Sequence, residues 1–371
     1  MILGFGPALA SFALCLLAIF ALRPLAIAVD LIDRPGGRKR HHGEVPIVGG
    51  LAMFLGATLG IGLLPLPEST GAAFLAACAI LVTVGLLDDR FDVSPWMRLP
   101  AQLAAAVLLM FGSGTFVTTL GSPLGAEPIQ LEGLVSYAIT VLIVMAAINA
   151  FNMLDGMDGL AGTTAVIALA ALAFLAGSGH LILVMSVCLV FIGAVIAFLI
   201  FNLPTRLNRE VRCFMGDAGS TLLGFAIAWL CIKVSQGPRP AAAPVTTLWV
   251  VALPLYELLW STVRRIMLGV SPFKADDNHF HHLLLKAGFG VRGAFGIFVI
   301  LGSLLALVGV LLEVVGVPES CSFLLLILTG IGVVRLMYRA EMLRRLVPDS
   351  LFTLPPLEPV KQRHSDREQS H

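Results

Sequence analysis

Charge is scarce in this sequence: Asp, Glu, Lys and Arg make up 13% of its 371 residues, against 58% hydrophobic. With a mean hydropathy of +0.94, the chain cannot keep its apolar surface from water as a soluble globule, so the bilayer must be its solvent. The six cysteines are scattered, with no CxxC and no metal-type spacing, and are expected to be buried small apolar residues. There is no GxxxxGK[ST] phosphate loop, which argues against a nucleotide-driven pump, and no HExxH zinc motif. No Lys or Arg precedes the first apolar run, so it lacks the basic start of a secretory signal and reads as a retained transmembrane helix.

What the sequence does have is apolar runs. A span needs about 20 apolar residues to cross a hydrocarbon core about 30 Å thick, and each span must be helical because hydrocarbon offers backbone amides no other partner. That ruler predicts an all-α, polytopic integral membrane protein with about eleven spans: 3–22, 46–65, 71–87, 99–117, 133–151, 160–177, 181–201, 219–236, 243–263, 293–314 and 320–338. No soluble domain fits between them, so residues 1–345 form a single transmembrane catalytic domain. Residues 346–371 are Pro-rich and then polar, a cytoplasmic tail with the composition of a loosely ordered segment.

Charge placement orients the spans. Alternate loops collect all of the 24 Lys and Arg residues except Lys233 and Arg239, and the side rich in cations is the cytoplasmic one. The N-terminus is therefore expected outside and the C-terminus in the cytoplasm.

Five polar segments fall in loops on that same side: Asp33 to His42, Asp88-Asp89-Arg90, Asn149 to Asp158, Phe214 to Asp217, and Asp276 to His282. A transporter would instead bury ionisable groups near mid-membrane, where both faces reach them in turn. Asp88 and Asp89 end a span, where two carboxylates oppose the helix dipole, so something cationic should compensate; neighbours on a helix point about 100° apart, which predicts divided roles. If residues 149–158 are helical, Asn149, Asn152, Asp155 and Asp158 line one side at steps of three, more polar groups than a helix end needs. Asp217 precedes a span and reads equally well as an N-cap or as one ligand of a Mg²⁺ ion, which takes a few carboxylates and leaves room for substrate phosphates. His279, His281 and His282, near Arg264, Arg265 and Lys274, suit hydrogen bonding to phosphate oxygens better than a transition-metal site. Two polyanions can meet in line only if cations screen them, so these groups suggest a metal-dependent phosphate site at a membrane surface. Glu257, inside the ninth span, has no evident role.

The words Arg38-Lys-Arg-His-His42, Leu87-Asp-Asp-Arg-Phe-Asp92, Phe151 to Leu160, Phe214-Met-Gly-Asp-Ala-Gly-Ser220 and His279-Phe-His-His282, in that order over nearly the whole chain, resemble the polyprenyl-phosphate N-acetylhexosamine-1-phosphate transferases. The resemblance implies transfer of N-acetylglucosamine-1-phosphate from UDP-GlcNAc to undecaprenyl phosphate, releasing UMP, as the first step of a lipid-linked surface polysaccharide of O-antigen type at the bacterial inner membrane. Another UDP-N-acetylhexosamine, GalNAc or a 6-deoxy amino sugar, is the alternative. It implies Asp88, Asp89, Asp217 and His279 as catalytic residues and Asp89 and Asp217 as ligands of Mg²⁺ or Mn²⁺. It further implies Asn152, Asp155, Asp158, Phe214, Arg264, Arg265, His281, His282, Lys39 and His42 as substrate-binding, with Asn152, Asp155 and Asp158 lining the uridine pocket and Phe214 stacking on uracil. The sequence His42-Gly-Glu-Val-Pro-Ile-Val-Gly-Gly50 departs from the muramoyl-pentapeptide branch and points to an amino sugar. Beyond membrane lipids and the two substrates, no nucleic-acid partner is expected; a homodimer is left open, because small residues are spread over many spans and no single face stands out.

Overall fold

The computed structural model describes residues 2–34, 44–125, 127–203, 212–271 and 279–339. Lys39, His42 and the tail from residue 346 lie outside these. The described residues form thirteen helices and one two-stranded pair. In order they are α1 (Ile2–Ala28), β1 (Ile32–Asp33), β2 (Val45–Pro46), α2 (Gly49–Gly62), α3 (Glu68–Phe91), α4 (Pro95–Ser113), α5 (Gly133–Leu154), α6 (Leu160–Ser178), α7 (Ile182–Asn202), α8 (Gly216–Ser235), α9 (Pro244–Val250), α10 (Ala252–Met267), α11 (Phe280–Lys286), α12 (Val291–Val315) and α13 (Glu319–Tyr338).

Eight helices are long and apolar enough to cross a membrane, or nine if α9 and α10 count as one span. The predicted spans 46–65 and 99–117 are the two that fall outside that set, each for a local reason. Residues 45–46 are drawn into the β pair, leaving α2 only 14 residues, about 21 Å of helix against a core of about 30 Å. In α4 the apolar run is diluted by Arg98 and Gln102, which turn inward to partners on α3, α8 and α5. The predicted span 243–263 is broken by 83° between α9 and α10. Pro254 accounts for the break, because it has no N–H to offer the Val250 carbonyl and its ring crowds that carbonyl.

At the centre stands α8, whose side chains are buried almost throughout and which packs against α2, α3, α5 and α6. Its first turns are approached by bare backbone. A Cβ at Gly85 of α3 would lie 2.4 Å from the Ala218 backbone, and one at Gly50 of α2 would lie 2.3 Å from the Gly219 nitrogen. Only glycine permits either contact. Five of the six cysteines are buried as expected, but Cys321 is exposed, on the outer face of α13.

The polar segments gather at one end of this bundle. The opposite end is closed by uncharged and acidic side chains: Gln236 accepts the Thr118 and Thr119 amides at 2.9 and 3.1 Å, and Glu319 accepts the Ser122 amide at 3.0 Å.

Candidate active site

Three helix ends and two short loops build the site. The loop before α8 is held as an extra strand: the Phe214 amide donates to the Pro46 carbonyl at 3.0 Å, while Gly49 and Gly50 donate back to Phe214 and Met215. This fixes where Phe214 and Asp217 emerge. Gly216 turns the chain into α8 with φ +69°, and a Cβ there would lie 2.3 Å from the Asp89 carboxylate.

Asp88 and Asp89 face different partners. Asp89 accepts the Asp217 amide at 2.8 Å and the Ala218 amide at 3.4 Å, so it caps α8 from another helix. A carboxylate satisfies free amides at a helix N-terminus and meets the positive end of the dipole there. Asp217 is thereby relieved of capping its own helix, and its side chain faces inward: Oδ1 accepts from Asn152 Nδ2 at 2.6 Å and Oδ2 from Arg98 at 2.8 Å. The same Arg98 nitrogen lies 2.7 Å from Asp88 Oδ2. The cation expected to offset the acidic pair at the end of α3 is therefore present within the chain, as an arginine nine residues after Asp89.

The helical row expected at Asn149, Asn152, Asp155 and Asp158 ends early. α5 stops at Leu154, Asp155 serves as its C-cap, and residues 155–159 turn back, with Gly159 at φ +76°. Gly156 and Gly159 make continued helix costly. Asn149 is consequently tied to Gln102 at 2.9 Å and to the Met145 carbonyl, away from the other three. Asp158 pairs with Arg212, whose guanidinium lies over the Phe214 ring at 5.9 Å from its centroid. Asn202, at the end of α7, fastens this loop by accepting the Gly159 amide at 2.5 Å and donating to the Cys213 carbonyl at 3.0 Å. Burial, with the nearby charges of Asp217 and Asp89, pushes the Asp155 carboxyl well above the usual carboxylate range.

The histidines form a stack against that loop. The His279 and His281 rings are parallel to within 4° at 5.8 Å, and His281 and His282 lie 4.2 Å apart. His281 packs on Gly156, where a Cβ would come within 2.6 Å of Nε2. Its ring is 1% exposed and neither nitrogen has a hydrogen-bond partner. Burial first, then the neighbouring histidines, lowers its pKa to about 3, so the ring is neutral near pH 7.

Glu257 is what sequence reasoning left without a role. It is 1% exposed in α10, where its Oε1 meets His279 Nδ1 at 3.0 Å and its two oxygens accept the Phe280 amide at 3.0 and 3.2 Å. The carboxylate thus caps α11 and orients His279 with Nε2 turned away, as carboxylates commonly orient working histidines. An acidic residue inside an apolar span was the only signal for it. Arg265 lies buried two turns further along the same face of α10, after Ser261, with Arg264 beside it.

The site therefore offers carboxylate oxygens, a guanidinium and imidazoles at one end of a membrane bundle, the kit of a phosphate-handling enzyme rather than of a channel. Among the described residues no three His, Cys, Asp or Glu side chains are disposed to hold a metal on their own.

Comparison with known proteins agrees with that class. Residues 72–235 match glycosyl transferase family 4, a stretch that contains Asp88, Asp89, Asp155, Asp158 and Asp217 but neither Glu257 nor the histidines. The undecaprenyl-phosphate alpha-N-acetylglucosaminyl 1-phosphate transferase of Escherichia coli (strain K12) is 37% identical over 297 residues, 80% of each chain. The protein of the same name from Yersinia pestis is 37% identical over 296 residues, and that from Haemophilus influenzae is 36% identical over 312, covering 83% of this chain and 86% of the relative. The chain belongs to this family of membrane sugar-phosphate transferases.

Proposed function

We propose that the enzyme transfers N-acetylglucosamine-1-phosphate from UDP-GlcNAc to undecaprenyl phosphate, with release of UMP, at the cytoplasmic face of a bacterial inner membrane. The observation that carries this reading is the meeting of Asp88, Asp89, Asn152 and Asp217 from three helices at one end of the bundle. An apolar slot, of about 280 Å³, lies between α5, α8 and the bent α9/α10 pair and is lined by residues such as Ile143, Ala147, Phe151, Ile232, Leu248 and Leu255. It extends from Phe151 and Ile227 to Thr119 and Gln236 at the opposite end of the bundle.

The donor set fits a hard divalent ion. Asp89 reaches the start of α8 beside Asp217, and Mg²⁺ takes one or two carboxylates together with substrate phosphates rather than a complete protein cage. We assign Asp217 and Asp89 to Mg²⁺, or Mn²⁺ in its place. When bound, the ion neutralises the diphosphate and the charge that develops on the leaving UMP.

In the transfer itself, a phosphate oxygen of the lipid attacks the β-phosphorus of the donor. The bond from that phosphorus to the bridging oxygen breaks, and UMP leaves with the electron pair. A phosphate monoester has its second pKa near about 6 and is largely dianionic at pH 7, so Asp88 serves to position rather than to remove a proton. His279, oriented by Glu257, and neutral His281 and His282 offer hydrogen bonds to the diphosphate; Asn152, Asp155, Asp158 and Phe214 take the uridine side, and Arg264 and Arg265 the sugar.

The test is purified protein with undecaprenyl phosphate, Mg²⁺ and a panel of UDP-sugars, scoring the nucleotide released. UMP with UDP-GlcNAc is expected. Release of UDP would mean attack at the anomeric carbon, and no nucleotide with any sugar would overturn the reading. UMP only with a GalNAc or 6-deoxy amino-sugar donor would keep the reaction and change the sugar.

A further inference from the structure

The guanidinium of Arg98 occupies an oxygen of Asp217, one of the two carboxylates assigned to the divalent ion. One of its nitrogens lies 2.7 Å from Asp88 Oδ2 on α3 and 2.8 Å from Asp217 Oδ2 on α8, so two carboxylates from different helices share a single cationic atom. The Asp88 side chain is 5% exposed, Arg98 27% and Asp217 29%. Buried carboxylates at such close quarters require a counter-charge, and leaving one unpaired is severely destabilising. Arg98 supplies it. Yet a divalent ion needs oxygens at about 2.0–2.1 Å, and it cannot take the Asp217 oxygen while a guanidinium nitrogen holds it.

Arg98 is also placed to go elsewhere. It lies in the first turn of α4, directly after Trp96 and Met97, which are 66% and 67% exposed at the rim of the bundle. Large apolar side chains exposed there face lipid, so Arg98 stands between the acidic pair and the surface from which a lipid headgroup arrives. The flat guanidinium fork matches two oxygens of a phosphate, as it matches a carboxylate.

We propose that Arg98 is a movable counter-cation: it neutralises Asp88 and Asp217 in the free enzyme, yields Asp217 to the divalent ion, and then pairs with the phosphate of the acceptor lipid. The proposal rests on the reaction given above. It makes metal and lipid binding cooperative, because the ion frees the group that grips the lipid. An enzyme without the ion would hold its arginine inward and present bare carboxylates' partners, not a phosphate receptor, to the membrane.

The test is binding of Mn²⁺ to the purified protein without substrates, followed by electron paramagnetic resonance, in wild type, Arg98→Ala and Arg98→Lys. With its competitor removed, R98A should bind Mn²⁺ about tenfold more tightly or better, the worth of one charge-assisted hydrogen bond. Its KM for undecaprenyl phosphate should rise by about the same factor or more, while that for the UDP-sugar changes little. R98K keeps the charge and loses the fork, so it should bind Mn²⁺ nearly as wild type does and still show the raised KM for lipid. Unchanged or weaker Mn²⁺ binding in R98A would overturn the proposal, as would a wild type that binds no Mn²⁺. If R98A does not accumulate, R98K decides: a KM for lipid equal to wild type overturns the proposal. Failure of the reaction itself would show separately, as absence of UMP from the wild-type enzyme.

Discussion

The two ends of the bundle use polar side chains in opposite ways. At the end formed by Thr118–Ser122, Gln236, Glu313 and Glu319, polar groups are spent on backbone. Gln236 alone accepts two amides and donates to the Thr119 carbonyl at 3.1 Å, and Glu313 accepts the Ala243 amide at 3.1 Å. At the other end Asp89 and Glu257 also accept amides, but most pairs are side chain to side chain: Arg98 with two aspartates, Asn152 with Asp217, Arg212 with Asp158, and an enclosed His281 with no partner at all. Groups set against one another in this way keep charge and hydrogen-bonding capacity that a ligand can use. The comparison separates a structural rim from an active one more sharply than charge count does, since both rims carry acidic residues.

The strongest way to break that contrast is Asp217→Asn, which keeps the shape and removes the charge. UMP release should fall by about 10²–10³-fold, the usual cost of losing one electrostatic group aimed at reacting atoms, while the protein still accumulates in the membrane. Substantial turnover would remove Asp217 from the metal site. Next is Glu257, where Gln can still accept the Phe280 amide but cannot hold His279 as a carboxylate does. Activity should drop about 10–100-fold in E257Q, as for other partners that orient a working residue, and further in E257A. Equal losses in Gln and Ala would mean that only packing matters.

A third measurement reads pH. His281 is held neutral down to about pH 3, whereas the unfolded chain takes up a proton there below about 6.5. Its stabilising contribution is therefore complete above pH 6.5 and lost as pH falls, amounting to about 2 kcal/mol by pH 5. His281→Leu should flatten the acid side of a Tm profile recorded in detergent. Asp155 works in the other sense: its raised carboxyl binds a proton that the unfolded chain has released, so stability declines as pH rises through that range. Asp155→Asn should raise Tm at pH 7 while weakening nucleotide binding, a stability gained at the expense of function. A lower Tm would show that the buried charge is fully compensated. The smallest effect belongs to the opposite rim. Gln236→Ala should cost about 1 kcal/mol of stability and leave turnover per folded molecule unchanged, read by Tm alongside UMP release.

Much of the site was legible because its residues come as short contiguous words: the acidic pair, the Asn152–Asp158 run, Phe214–Asp217 and the histidines each announce themselves locally. The need for a cation beside Asp88 could be argued from the helix dipole alone. Its identity could not, because Arg98 is separated from the pair by a turn and looks like any basic loop residue. Glu257 was visible as an oddity in an apolar span, but its partners lie on α11, across a segment that has no periodicity linking the two. The break between α9 and α10 was hidden by hydropathy, which averages over Pro254 as if it were one more apolar residue. The end of α5 at Leu154 is hidden for a related reason: steps of three match a helix, and the polar spacing by itself takes no account of the two glycines that stop it. Hydropathy finds apolar length well and says little about how that length is cut.

The backbone contacts of Gly85 and Gly50 with the start of α8 have a mechanical meaning. Where two main chains touch with no side chain between them, no rotamer can take up slack, so Asp89 and Asp217 are spaced by the covalent chain itself and not by neighbours that could be exchanged. The Arg265 and His279 side of the site is carried instead on a bent helix, whose Glu257 side chain holds His279. The enzyme is in this sense a fixed jaw and an adjustable one: the half that handles charge admits almost no redesign, and differences in the sugar accepted have to be written on the other.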